Sequence, residues 1–294
     1  MIKIVRDATK KKPGIDVSYW QGTIDWKKVK AAGVEFALIR AGYGSSADKK
    51  FLENIKGAIE AGLEIGVYWF IYATSTEEAI KNAVKCAELV APYKDKIRLG
   101  IAADYEYDSD SYFIRTGKET PTKAVRTQLC IEFMSKIESL GYQSTLYANP
   151  DYIKTKFNMD RLSKYPLWLA WYSGSYGNYL PAIWQYSSVG KVAGIKGNVD
   201  MNYGFYSIQG ETITPTPTPQ TQPTFTAIKA QQEVSLKAVP LYGTSKTSKI
   251  ARKISGRFYI WNASVINGRV RITNRKESCG VVTQVTGWIK AEDL

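Results

Sequence analysis

Residues 101–110, IAADYEYDSD, carry four carboxylates, Asp104, Glu106, Asp108 and Asp110, in a chain of formal charge +13. The run is apolar as far as Ala103, and Asp and Glu then alternate with Tyr. If a strand continues through it, Asp104 and Glu106 share one face with Cα atoms about 6–7 Å apart, and Tyr105 takes the other. Two carboxyls that close repel when both are ionised, which raises the pKa of one. A proton donor beside an anion is the pairing that cleaves glycosidic bonds. Two plainer readings compete. A Ca²⁺ loop also alternates its oxygen ligands, but its turn Gly and late Glu are missing. Acidic residues after a strand are often a solvated loop, and that reading suits Asp108 and Asp110.

The rest of the inventory narrows the chemistry. The 294 residues contain no His. This excludes Ser-His-Asp and Cys-His hydrolases and the usual His-ligated zinc amidases and peptidases. Proton transfer falls to Asp, Glu, Lys, Tyr or Cys. Cys86, Cys130 and Cys279 are odd in number and widely spaced. They make neither a disulfide framework nor a C-x-x-C metal pair and read as small hydrophobes. We expect no metal and no cofactor.

Around the acidic run, the elements that must position it alternate in type. VEFALIRA (34–41) and IGVYWFIYA (65–73) are nearly continuous apolar runs, as in strands buried on both faces. DWKKVKAAG (25–33) and KFLENIKGAIEAG (50–62) read as helices ending in Gly. TSTEEAIKNAVKCAELV (74–90) reads as another, capped by Ser75 or Thr76. IRLGIAADYEY is a strand followed by a helix over 121–140, and STLYAN, LWLAWY and AIWQYS are later strands on shorter connections. Repeated β–α units imply a parallel sheet, open or closed into a barrel, with working residues at strand C-terminal ends. Asp16, Tyr68, Tyr72, Asp104, Glu106, Tyr147, Trp171, Gln185 and Asp200 fall at such ends. Four carboxylates among Trp and Tyr rings suggest a carbohydrate cleft, since aromatic faces stack on sugar C–H surfaces.

GIDVSYWQG, the apolar run ending in DYE, YAN, LWLAWY, WQYS and VDMN occur in this order. That set resembles glycoside hydrolase family 25 lysozymes, the N-acetylmuramidases found in phage endolysins, over about residues 12–208. The resemblance implies a flattened, irregular β/α barrel that cleaves the N-acetylmuramic acid β-1,4 N-acetylglucosamine bond of peptidoglycan. It makes Glu106 the general acid and Asp104 its charged partner, with Asp16 and Asp200 as outer carboxylates. Tyr68, Tyr147, Trp171 and Gln185 match sugar-lining positions, and Tyr72 falls beside them. One departure stands out: members often carry His after the Tyr of the third-strand motif, where this chain has Trp69.

ETITPTPTPQTQPT (211–224) has the composition of an extended polyproline II spacer. It separates a catalytic domain, 1–210, from a small all-β module, 225–294. That module carries 12 of the Lys and Arg residues against 5 Asp and Glu from residue 211 onward. LYGTSKTSKIARKI and GWIKAEDL resemble bacterial Src-homology-3-like wall-binding domains, with Tyr259 and Trp261 as exposed ligand contacts. The expected partners are peptidoglycan and an anionic wall polymer. Basic residues are too scattered for a nucleic-acid module. No run reaches the roughly 20 apolar residues of a membrane span. Without an apolar signal segment at its start, the chain reads as made in the bacterial cytoplasm and acting on the wall after release. The alternative is a non-catalytic glycan-binding protein on a degenerate barrel, against which the complete carboxylate set argues.

Overall fold

The computed structural model describes residues 3–209, 229–245, 247, 249–262, 266, 269–279 and 286–294. The chain divides into two compact units, Met1–Thr212 and Ile213–Leu294. The Pro/Thr-rich stretch 211–224 lies outside the described residues.

In the first unit the strands are β1 (Lys3–Arg6), β2 (Lys12–Val17), β3 (Phe36–Tyr43), β4 (Ser46–Ala47), β5 (Glu64–Phe70), β6 (Ile97–Asp104), β7 (Ser144–Ala148), β8 (Leu167–Ala170), β9 (Ile183–Gly190), β10 (Val199–Gly204) and β11 (Tyr206–Gln209). The helices are α1 (Trp26–Ala31), α2 (Phe51–Glu60), α3 (Thr76–Val90), α4 (Tyr107–Arg115), α5 (Lys123–Ser139) and α6 (Met159–Leu162). The sheet runs β2-β10-β9-β8-β7-β6-β5-β3, and β3 returns to β2, so it closes into a barrel. Every neighbour pair from β2 through β3, β5, β6, β7, β8 and β9 is parallel. Only β10 runs against both its neighbours, β9 and β2. The fold is α/β and barrel-like with a mixed sheet.

The strands read as continuous apolar runs because both faces are covered. Outward residues Ala37, Ile39, Val67, Trp69, Ile101 and Ala103 pack against Phe51, Ile55, Ala83, Cys86, Leu129 and Phe133 of α2, α3 and α5. Inward residues Phe36, Leu38, Tyr68, Ala102, Tyr147 and Trp168 form a second cluster inside the barrel. At its lower end, Gly14 is obligatory, because a Cβ there would lie 2.2 Å from the Phe36 ring. The helix starts follow capping chemistry: Asp25, Ser75 and Thr122 side chains accept from Lys28 N, Glu78 N and Val125 N. Among the described residues no helix is long and apolar enough to cross a membrane.

The acidic run departs from its sequence reading. The strand stops at Asp104, and Glu106 is the N-cap of α4 rather than a further strand residue. Asp108 and Asp110 therefore lie in the first turn of a helix, not in a solvated loop. Acidic side chains suit that position, where the helix dipole is positive. Asp110 is an internal anchor: Arg126 Nε donates to Oδ1 at 2.7 Å, Tyr105 OH donates to Oδ1 at 3.0 Å and Tyr152 OH to Oδ2 at 2.9 Å. Asp108 is half-exposed and pairs with Arg115 at 2.7 Å.

The second unit closes four antiparallel strands into a small barrel: β12 (Glu233–Tyr242), β13 (Ile250–Ile260), β14 (Arg269–Thr273) and β15 (Gly287–Lys290). Val234, Leu236, Ile254, Ile260, Val270, Ile272 and Ile289 fill it. The sequence reading of Trp261 as an exposed contact is wrong, since it is buried. The Arg271 guanidinium lies 4.9 Å from the Trp261 ring centroid and 4.7 Å from that of Trp288. Tyr259 is half-buried and donates through its hydroxyl to Glu233 at 3.1 Å. Cys86 and Cys130 are buried free thiols, and Cys279 is half-buried.

The two helix-start aspartates should differ in their effect on stability. Asp110→Ala strands the buried Arg126 and should cost about 3 kcal/mol, whereas Asp108→Ala, losing an exposed pair, should cost under about 1 kcal/mol. Urea unfolding followed by tryptophan fluorescence measures both, and equal losses would contradict the assignment.

Candidate active site

Strand register gathers the side chains at one mouth of the barrel. Asp16, near the end of β2, lies directly across from Asp200, the second residue of β10. Asp104 closes β6 beside Phe70 of β5 and Tyr147 of β7. Arg40 of β3 pairs with Tyr68 of β5, and Ala170 of β8 with Gln185 of β9. Because the inward side recurs every second residue, these positions, Ala170 apart, line one cavity of about 250 Å³. It holds Asp16, Asp104, Glu106 and Asp200 together with Tyr68, Tyr147, Trp168, Tyr172, Gln185, Phe70, Trp20 and Arg40. A second lobe of about 480 Å³ shares Trp20, Arg40, Phe70 and Glu106 with it. That lobe adds Tyr19, Tyr43, Tyr72 and Asp108.

A hydrogen-bond chain fixes one side of the cavity. Trp168 Nε1 donates to Asn202 Oδ1 at 2.8 Å, and Asn202 Nδ2 donates to Asp16 Oδ2 at 2.7 Å. Gln185 Nε2 donates to the same oxygen at 2.8 Å. The Gln185 carbonyl oxygen in turn accepts from Tyr172 OH at 3.0 Å and Tyr147 OH at 3.3 Å. Both ends of the Gln185 amide are thus engaged by protein, so it orients Asp16 and two tyrosine hydroxyls. Asp200 faces Asp16 across the β2–β10 pair, and its charge adds to the burial that favours the protonated form of Asp16.

Four carboxyls in one cavity cannot all be ionised. Burial, with the neighbouring Asp200 charge, raises the Asp16 carboxyl well above the usual range. Burial, then Glu106 and Asp16, do the same for Asp104, against which the Arg40 charge acts. Asp200 is raised by burial. Glu106 is pushed up to about 7, first by burial and then by the charges of Asp108 and Asp200. Burial keeps the Tyr68 and Tyr147 hydroxyls protonated as donors. The arrangement supplies a proton donor near neutral pH, facing further carboxyls in a pocket walled by aromatic rings.

The sequence placed Asp16, Asp104, Glu106, Asp200, Tyr68, Tyr147 and Gln185 in this group, and the structure brings all seven to the cavity. Tyr72 lies in the adjoining lobe, hydrogen-bonded to Asp108 and stacked on Tyr112 at 5.0 Å. Trp171 does not line the cleft. In the LWLAWY run, Trp168, Ala170 and Tyr172 point inward and Leu169 and Trp171 outward. The Trp171 ring packs edge-on against Tyr179 at 5.5 Å, and Tyr172 takes the inward place. Trp69 likewise faces α3, fully buried, with Nε1 3.3 Å from Asn82 Oδ1. It does not stand where a cleft histidine would. Arg40, Trp20, Phe70, Trp168, Tyr172 and Asn202 were missed. Period-two counting from Asp200 finds Asn202, and from Trp168 finds Tyr172. A single basic residue at the end of the apolar run FALI in VEFALIRA was the available signal for Arg40.

A family model described as Glycosyl hydrolases family 25 matches residues 15–195. The chain belongs to this family. The family 25 region is similar to Lysozyme M1 of Streptomyces globisporus, 28% identical over 203 residues, covering 64% of this chain and 66% of that protein. The Autolytic lysozyme of Clostridium acetobutylicum is 28% identical over 195 residues, covering 64% and 54%. Among solved structures, the modular autolysin LytC from Streptococcus pneumoniae superposes with a TM-score of 0.59 at 28% identity, covering 66% of this chain and 46% of that one. The chain thus spans about half to two thirds of the length of these relatives.

In this family 25 domain Glu106 should leave a signature in stability. Its folded pKa, about 7, exceeds the ordinary 4.5. The native state therefore holds a proton that the unfolded chain releases, a contribution fully present below pH 4.5 and lost as pH rises through 7. Across that window the unfolding free energy should fall by on the order of 3 kcal/mol more in the native chain than in Glu106→Gln. Urea titrations at stepped pH measure the difference; parallel curves would refute the raised pKa.

Proposed function

We propose that the chain is a peptidoglycan muramidase that cleaves the β-1,4 bond between N-acetylmuramic acid and N-acetylglucosamine, with Glu106 as general acid. The observation that carries this reading is the meeting of Glu106 with Asp16, Asp104 and Asp200 in one aromatic-walled cavity. Lysozymes and an autolysin among the relatives support the substrate class.

Protonated Glu106 gives its proton to the bridging oxygen as the bond from the muramyl anomeric carbon breaks, and the glucosamine end leaves as an alcohol. In this reading Asp104 faces the positive charge developing on the sugar and stabilises it as it ionises, once Glu106 is protonated and no longer adds its own charge to the burial that holds the Asp104 proton. Asp16 and Asp200 face each other closely enough that ionising one disfavours ionising the other, which limits the negative charge they add to the cavity. Tyr68 presents its hydroxyl and ring to the sugar, and the Tyr147 hydroxyl, whose proton goes to Gln185, is left to accept from a sugar hydroxyl. The ionised Glu106 then recovers its proton from the water that completes hydrolysis.

The second unit fits an SH3-like tether to an anionic wall polymer. Its closed four-stranded barrel and the exposed Arg252, Lys253 and Arg257 of β13 support that role. Tethering raises the concentration of the catalytic unit at the wall without new contacts in the cleft. With Trp261 buried, the contact surface in this reading is basic rather than aromatic.

Purified peptidoglycan digested by the protein and reduced at its new ends should yield muramitol. Glucosaminitol would make it a glucosaminidase, and new free amino groups an amidase or peptidase. Glu106→Gln should lower the rate about 10²–10⁴-fold while wall binding persists. Lysis at the native rate would overturn the acid assignment.

A further inference from the structure

The charged side chains lining the cavity and its adjoining lobe are acidic, with one exception. Among the described residues lining either of them, Arg40 is the sole basic side chain, and it lines both. Its guanidinium is held as a fixed fork. Nε donates to Oδ2 of the fully buried Asp48 at 2.8 Å, while Asp48 also accepts from Tyr19 N at 3.1 Å and Lys50 N at 2.8 Å. The rings of Tyr19 and Tyr43 lie 5.0 and 5.5 Å from the guanidinium carbon. One edge of the fork is thus committed to Asp48. Nη2 is buried and has no hydrogen-bond partner among the described residues, while the side chain keeps 13% of its surface exposed and lines the cavity. A buried guanidinium donor left unpaired is costly, and a planar fork is the geometry that receives a carboxylate or an acyl carbonyl.

The muramyl residue offers such a group. It differs from glucosamine only by a lactyl ether on O3, whose carboxyl is free in peptide-free strands and an amide where a stem peptide is attached. We infer that Arg40 reads this lactyl acyl group and so sets the preference for a muramyl over a glucosaminyl residue at the scissile position. The inference rests on the muramidase reading above. Arg40 acts as a specificity residue that touches substrate away from the breaking bond. A site built to hydrogen-bond a substrate group discriminates strongly against the analogue that lacks it, because its own donor is then left unpaired.

The test uses the full chain and three substrates: peptide-free glycan strands, peptide-bearing strands, and a chito-oligosaccharide of N-acetylglucosamine alone, followed by turnover or by its Ki as a competitor. Arg40→Lys keeps the charge and can keep the pair with Asp48, but has no fork to extend beyond it. It should raise KM on both muramyl substrates tenfold or more with kcat within about threefold. The muramyl-to-chito preference should fall by at least tenfold. A loss greater on peptide-free strands, and weakened by salt, identifies the carboxylate as the group read; an equal, salt-insensitive loss identifies the carbonyl. Asp48→Asn, which keeps the guanidinium but loosens it, should lower the preference in the same direction. Equal losses on muramyl and chito substrates would make Arg40 a general electrostatic or structural group and overturn the inference, as would no loss. Failure of the muramidase reading is seen separately, in native digests that give no muramitol ends.

Discussion

The site depends on one antiparallel pair, β2 with β10, which sets Asp16 opposite Asp200. In a wholly parallel barrel, residues at strand beginnings lie at the far end from the working mouth. Asp200 is the second residue of its strand. It reaches the mouth because β10 alone runs the other way. The same reversal lets β10 bridge β9 and β2, so that ring closure and completion of the carboxyl cluster are one structural event. Any shift of that pairing by one residue would turn Asp200 and Asn202 out of the barrel together.

Holding four carboxyls there works against stability, and the surroundings show how the cost is limited. Asp16 receives two amide donors whose own orientation is locked by Trp168, Tyr147 and Tyr172. Asp104 has no comparable shell, for its Oδ1 is buried without a hydrogen-bond partner among the described residues. Glu106 sits where two influences oppose each other. As the N-cap of α4 it faces a helix N-terminus, which favours charge, but burial and the neighbouring anions favour the proton, and they win. A carboxyl balanced this way changes protonation near neutral pH, which neither a strand interior nor an open loop would achieve.

How far the sequence could be read follows from which signals are local. Helices with Ser, Thr or Asp caps and strands covered on both faces are local patterns, so α1–α3, α5 and the parallel barrel strands were legible, whereas antiparallel β10 was not, and Asp200, expected at the C-terminal end of a strand, lies near the start of one. So was the presence of a carboxylate pair, since Asp104 and Glu106 are two residues apart. Their geometry was not, because a strand and a strand-to-helix junction place them alike in sequence. Asp110 illustrates the limit: its partners Arg126 and Tyr152 lie 16 and 42 residues away, and nothing nearby distinguishes it from Asp108. Arg40 was hidden in the opposite way, inside a run whose apolar neighbours argued only for burial.

The aromatic residues show why composition alone could not outline the cleft. After β8 the connections are too short to lay a helix over β8, β9 and β10. Their outer face is covered instead by rings: Trp184 and Phe205 are buried there, with Trp171, Tyr176, Tyr179, Tyr186 and Tyr203 packed around them. Tyr186 and Tyr203 stack at 4.6 Å, and Trp184 Nε1 donates to Trp171 O at 2.8 Å. Neighbouring positions on the same strands thus send one ring to the cavity and the next to the cover. Aromatic content was therefore ambiguous from the start, and alternation decides between the two roles. Counting in twos from Trp168 assigns Tyr172 to the cavity and Trp171 to the cover, a distinction that follows from the pleat of the sheet rather than from residue type.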